Sequence, residues 1–348
     1  MLIDALISQL DKQRRTVDFD TYDIIVQQLI SMVESGAIDV APVYQRQFRW
    51  DQLKRSHLIE SVFLGVPVPS LFMATNRDGT WELVDGVQRL STLIQYAGTE
   101  EARERLSLKD PLVLEGLIKL NKFNGLSFND LPDSIKLQFL HRSIKVITLS
   151  DKSDMVVRFD LFERLNTGGV ALTNQEIRGC IYRGQFNEFL EEMAGNKDFK
   201  KSVRLTQKQE KDGTREECVL RFFSFLNRYN KFEHSVVDFL NSYMKESSKS
   251  FKYIGGRKIF TDTFSQISQI LSKGIVRGQN RKITPINLFE GVSVGAALAL
   301  QKKGELLGEG AEEWIGSEEL RQYTTGATNN RSIVKKRIEY CRDKFLGK

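Results

Sequence analysis

Apolar positions recur at three-to-four spacing along Thr21–Glu34. Ile24, Ile25, Leu29, Met32 and Val33 fall on one face, which predicts an amphipathic helix ended by Gly36. A short extended stretch, Ile38–Tyr44, follows. Asp51 is placed to cap a second helix carrying Leu53, His57, Leu58, Val62 and Leu64, with Gly65 at its end. Two short apolar runs, Leu71–Thr75 and Trp81–Val84, are joined through Asp78-Gly79, a pattern that predicts a β-hairpin. Asp85-Gly86 comes next, and Gln88–Tyr96 reads as a helix. Asp133–His141 predicts a helix and Ser143–Leu149 a strand. Ser153–Leu165 predicts another helix, running into Asn166-Thr167-Gly168-Gly169. Thr173 and Glu176 have capping-box spacing. From about Gln185 the periodicity is helical, clearest over Arg215–Tyr229. The expected architecture is therefore α+β: a domain with a small mixed sheet over residues 1–184, then an all-helical domain over 185–348.

The 348 residues suffice for both, with 41% hydrophobic and 28% charged positions and few prolines. No apolar run approaches the ~20 residues that cross a bilayer. The start of the chain lacks a basic segment and cleavage site, so no signal peptide is expected. Cys180, Cys218 and Cys341 are odd in number and far apart, which argues for free thiols, a reducing compartment and a cytoplasmic location. The net charge of +6 is uneven. Residues 1–198 sum to −5, whereas residues 199–303 carry +11. A basic block of that size suits a polyanion, although Lys-rich solvated helix faces would look the same. Within it, Lys208, Arg215, Lys252, Arg257, Lys258, Arg281 and Lys282 are candidate DNA contacts. Phe251, Tyr253 and Phe260 interleave with them.

Two arginine-bearing segments flank the predicted hairpin: Tyr44-Gln45-Arg46-Gln47-Phe48-Arg49-Trp50 and Asp85-Gly86-Val87-Gln88-Arg89-Leu90. In the second, a strand ends, glycine permits a tight turn and a helix starts. That geometry aims backbone N–H groups at an anion. Arg89 can grip phosphate in a bidentate fashion, and Gln88 can donate an amide N–H. Asp85 has the wrong charge for phosphate; it suits a cation, a water molecule or the orientation of Arg89. A purely structural alternative has Asp85 capping the helix and pairing with Arg89. Asn166-Thr167-Gly168-Gly169 lets backbone approach a ligand closely, with Arg164 and Arg178 on flanking helices; a plain helix C-cap is the alternative there.

Asp85-Gly86-Val87-Gln88-Arg89-Leu90 resembles the Asp-Gly-Gln-Gln-Arg motif of the GmrSD restriction-endonuclease N-terminal domain family. Tyr44-Gln45-Arg46 with Trp50 resembles that family's upstream segment. Phe162-Glu163-Arg164-Leu165-Asn166-Thr167-Gly168-Gly169, followed by Leu172-Thr173 and Glu176-Ile177-Arg178, resembles its downstream one. Glu216–Phe223 and Thr324–Asn330 followed by Arg337-Ile338 share the family's look. The resemblance implies a ParB/sulfiredoxin-like fold and a nucleotide pocket. In that pocket Asp85, Gln88 and Arg89 would act on the phosphates, and Gln45, Arg46, Gly86, Arg164, Asn166, Thr167, Gly168 and Gly169 would bind. Val87 departs from the motif by removing one amide, which bears on turnover rather than on anion binding.

The expected function is NTP binding and hydrolysis with Mg²⁺, by a DNA-associated protein of a restriction or anti-phage system. There is no Walker A pattern, so the site would not be of the P-loop kind. His57, His141 and His234 are far apart, none with metal-ligand spacing, and the cysteines lack Cys-x-x-Cys spacing. No metal site and no His-dependent nuclease is therefore expected in this chain, and a nuclease or other defence protein is the expected partner. Homo-oligomerisation is left open, and no membrane partner is expected. The alternative is a non-catalytic module that binds DNA or a partner, with Val87 marking lost turnover. A stand-alone nuclease acting through the same pocket ranks last.

Overall fold

The computed structural model describes residues 3–4, 6–8, 18–40, 50–76, 78–150, 159, 161, 163–164, 172–278, 282–326 and 328–348. The chain folds as two compact units, Met1–Ala171 and Leu172–Lys348.

In the first unit, β1 (Phe19–Ile25) runs straight into α1 (Val26–Glu34). The Thr21–Glu34 stretch is thus not one helix. Its first half is rich in aromatic and β-branched residues and pairs antiparallel with β5 (Ser143–Leu149), from Phe19 opposite Leu149 to Ile25 opposite Ser143. Strand pairing overrides the helical spacing there. α1 keeps the expected spacing and buries Val26, Leu29, Ile30 and Val33. β2 is short, Ile38–Asp39. α2 (Gln52–Leu64) starts where Asp51 accepts a hydrogen bond from Lys54 N and stops at left-handed Gly65, as its sequence predicts. β3 (Leu71–Thr75) and β4 (Trp81–Asp85) form the hairpin expected around Asp78-Gly79, and α3 (Val87–Ala97) follows. Then come α4 (Glu100–Arg105), α5 (Asp133–Leu140) and β5.

The sheet order is β1-β5-β3-β4-β2, with β3–β5 and β2–β4 parallel and the other pairs antiparallel. The helices bury Leu29 and Val33, Ile59 and Val62, and Leu90, Leu93 and Ile94, while the sheet contributes Met73, Leu83 and Val146. Each such side chain contributes about 1.5–3 kcal/mol when fully buried. Phe63, Tyr96 and Phe139 close one end of this core, with ring centroids 4.7–6.2 Å apart.

The second unit is helical throughout its described residues. Its elements are α6 (Asn174–Ile181), α7 (Gln185–Ala194), α8 (Lys197–Ser202), α9 (Thr214–Arg228), α10 (Val236–Ser247), α11 (Tyr253–Ile270), α12 (Ile286–Lys303), α13 (Ala311–Ile315), α14 (Glu318–Thr324) and α15 (Arg331–Phe345). Thr173 and Glu176 complete the predicted capping box at α6. α6 belongs to this unit because it packs on α9 and α10, so the division falls before α6 rather than at residue 184. α12 is apolar nearly all round and lies against α15, where Gly295 permits close approach: a Cβ there would come 2.7 Å from Arg342 N. Phe199, Phe222, Phe260 and Phe264 form a ring cluster at the centre, which places Phe260 in the core rather than on a basic face. All three cysteines are buried and in this unit.

Candidate functional site

β4 ends at Asp85, and the chain turns into α3 through Gly86 at φ +104°. This turn needs glycine twice over. The backbone angle is left-handed, and a Cβ would meet Leu71 Cδ2 at 2.5 Å. With glycine at the N-cap, no side chain caps α3. Asp85 therefore does not cap the helix. It instead accepts a 2.6 Å charge-assisted hydrogen bond from Arg89 Nη2, and the same nitrogen donates to Ser70 O at 3.2 Å. The guanidinium lies over the Gly86 Cα, half-buried, and its Nε is buried without a hydrogen-bond partner among the described residues. One half of the structural alternative is thus present, the Asp85–Arg89 pair, and the other half is not.

Gln88 holds the next position. Its Oε1 accepts from the backbone N–H of Trp50 at 3.0 Å. Trp50 closes the upstream arginine-bearing segment, so two of the three motif segments meet here. Gln88 also anchors its own helix, where Thr92 Oγ1 donates to its carbonyl at 2.6 Å. The result is a strand–turn–helix corner with a positioned arginine, an ordered amide and a partly exposed carboxylate. Such a corner can bind an anion through Arg89 and the first turn of α3, with Asp85 orienting the arginine.

Gln45 and Arg46 lie outside the described residues, as do Asn166, Thr167, Gly168, Gly169 and Arg281. Arg164 is described and exposed. Arg178, placed by its sequence beside the glycine pair, is instead fully buried in the second unit. It donates to Asn241 Oδ1 at 2.7 Å and to Glu217 at 3.0 Å. Among the DNA-contact candidates, Lys208, Lys252, Lys258 and Lys282 are exposed. Arg257 is half exposed, paired with Glu192 and stacked near the Phe189 ring. Arg215 corrects the expectation. It is turned inward, paired with Glu210 and donating to Val203 O at 3.2 Å, so the fold rather than a ligand occupies it.

Sequence reasoning missed a buried charge ladder in the second unit. From Arg178 it passes to Glu217, to Arg221 at 2.7 Å, to Glu290 at 2.5 Å and on to Arg337. Four helices, α6, α9, α12 and α15, supply its members. Burial raises the Glu217 carboxyl, but Arg221 and Arg178 outweigh that and hold it below its ordinary value. Burial likewise lowers the Arg221 guanidinium, and Glu290 and Glu217 more than reverse it. The i,i+4 spacing of Glu217 and Arg221, and a lone glutamate inside apolar α12, were the available signals. Among the described residues no three His, Cys, Asp or Glu side chains could together hold a metal ion, and no helix is long and apolar enough to cross a membrane.

Among curated proteins none matches this chain. A solved structure described as a Pnob8-like ParB-N domain matches over 96% of this chain and 99% of that chain, at 11% identity and a TM-score of 0.24. That superposition is too loose to carry anything over. Residues 26–183 match the sequence model of the GmrSD restriction endonuclease, N-terminal domain. That span holds the Asp85–Arg89 corner and its tie to Trp50, so the corner lies within the part of the chain that is similar to the GmrSD N-terminal domain.

Proposed function

We propose that this protein binds and hydrolyses a nucleoside triphosphate as a DNA-associated component of a restriction system, working with a nuclease carried by a partner. The supporting observation is the Asp85–Arg89 corner: a guanidinium fixed over Gly86 at an uncapped helix start, in a stretch similar to the GmrSD N-terminal domain. Arg89 and the α3 N–H groups would take the phosphates. Asp85 fits a Mg²⁺ ion only as one ligand among phosphate oxygens and water, which is how nucleotide-borne Mg²⁺ is commonly held. The ion would neutralise phosphate charge, while Gln88 keeps the Trp50 segment against the site. The exposed lysines of the second unit would meet the DNA backbone, which supplies affinity without sequence readout.

Phosphate release is measured with each common NTP and Mg²⁺, with and without duplex DNA, beside a thermal-shift series. At least one NTP is expected to raise the unfolding midpoint and to be hydrolysed. Arg89→Ala is expected to abolish both effects while its own unfolding midpoint moves by no more than about 1 kcal/mol equivalent. Absence of both shift and turnover for every NTP would overturn the proposal. A shift without turnover selects the second reading, a binding module, which Val87 in place of the motif's glutamine favours.

A further inference from the structure

Two joined hollows of about 500 and 460 Å³ run along α11 and share Gly255, Ile259 and Gln301 in their walls. The second has Phe223, Tyr243 and Phe251 as its apolar side, with Asn227, Ser250 and Lys252 on its rim. Phe251 is held rigidly: its ring centroid lies 4.8 Å from Phe186, 5.1 Å from Phe189 and 5.3 Å from Phe223, yet the residue stays partly exposed. A fixed aromatic with an accessible side is a stacking platform. Asn227 Nδ2 donates to Tyr243 Oη at 2.6 Å, which sets the amide in place beside it.

The two glycines of α11 separate packing from function. Gly256 has a packing reason, since a Cβ there would come 2.7 Å from the Phe251 ring. Gly255 has none. Its backbone is not left-handed, and a Cβ would meet nothing within 4 Å. Glycine disfavours helices, so a glycine that neither the backbone nor the packing requires marks a place kept open, and here the open space is the groove itself. The surroundings are basic: Lys249, Lys252 and Lys258 are exposed. Two carboxylates line the groove: Glu246 in the second hollow, where Arg228 beside it neutralises its charge, and Asp262 in the first.

We propose that this groove receives an unpaired nucleobase of a polynucleotide strand, stacked toward Phe251, with the neighbouring phosphates on Lys252 and Lys258. The assignment rests on the reading that the helical unit binds DNA, and it names the part of that unit which takes a base. A strand suits the site better than a free nucleotide because the groove continues past Gly255 into the first hollow beside Lys258.

The test uses the full chain and two labelled probes of equal length, a single-stranded oligodeoxynucleotide and its abasic counterpart, titrated by fluorescence anisotropy. The wild-type protein is expected to bind the base-bearing strand at least about fivefold more tightly, the scale of one base–aromatic stack. Gly255→Leu fills the groove from a position where a Cβ meets no atom within 4 Å and a helix gains from losing glycine, so its unfolding midpoint should hold or rise. In that variant the preference should vanish while affinity for the abasic strand stays. Equal binding of both probes by the wild type overturns the base pocket and leaves the DNA reading standing. A preference that survives Gly255→Leu also overturns it. Binding of neither probe removes the DNA reading and the pocket with it. If Gly255→Leu weakens only a free mononucleotide, the occupant is not a strand and the assignment falls.

Discussion

The two units use arginine in opposite ways. In the sheet unit, Arg89 pairs with Asp85 four residues away, at the rim of a turn, and both side chains keep part of their surface in water. In the helical unit, Arg178, Arg221 and Arg337 are drawn under the surface and share Glu217 and Glu290. The first arrangement leaves a cation within reach of a ligand; the second spends cations on tying four helices together. Net charge along the sequence cannot tell these apart. The +11 of residues 199–303 includes Arg215, Arg221 and Arg277, all turned inward, so the basic surface of this unit is carried mainly by its lysines.

The sharpest way to break the contrast is to remove a carboxylate from the ladder. Glu290→Gln leaves Arg221 and Arg337 without their shared partner inside the core, and should cost about 3–5 kcal/mol in urea unfolding of the helical unit. A cost below 1 kcal/mol would mean that the ladder is not what holds those helices.

Gly86→Ala ranks next. It forces a side chain into a left-handed turn and against Leu71, at an expected cost of about 1–3 kcal/mol and with any nucleotide-induced thermal shift lost. The same substitution at Gly255 should cost nothing, which makes the pair a direct comparison of a glycine the fold needs with one it does not.

The third test is acid. Glu217 has its carboxyl held below the ordinary value, so its contribution is fully present above about pH 4.5 and is lost as pH falls through the lower, folded value. Unfolding followed from pH 6 down to pH 2 should steepen below pH 4.5 in the wild type. A Glu217→Gln variant, already weaker at neutral pH, should show a shallower slope there. The smallest effect is expected at the surface. Arg257→Ala removes an exposed pair with Glu192 and should change stability by no more than about 1 kcal/mol, an amount that salt erases.

Local rules made much of the fold readable in advance. Asp51, Gly65, Asp78-Gly79 and the Thr173–Glu176 box act through neighbours three or four residues away, and each sits where its spacing places it. Phe19–Ile25 was not readable in the same way. Its partner, β5, lies more than a hundred residues on, and a pairing of that range leaves no periodic trace in one strand. The corner at Asp85–Arg89 was legible because its geometry is local, down to the Asp85–Arg89 contact. The link from Trp50 to Gln88 was not, since it joins segments 38 residues apart. The inward turn of Arg178 and Arg215 escaped notice because a charged residue in a sequence carries no mark of which way it faces.

The placement of the three cysteines has a practical consequence. Cys180, Cys218 and Cys341 are all buried and all in the helical unit, and burial pushes the Cys218 thiol up to about 12. Reaction with a thiol reagent therefore has to wait for that unit to open, and the sheet unit contributes no signal. Alkylation rate, followed by mass, is thus a built-in clock for opening of one unit in the intact chain, with no engineered label.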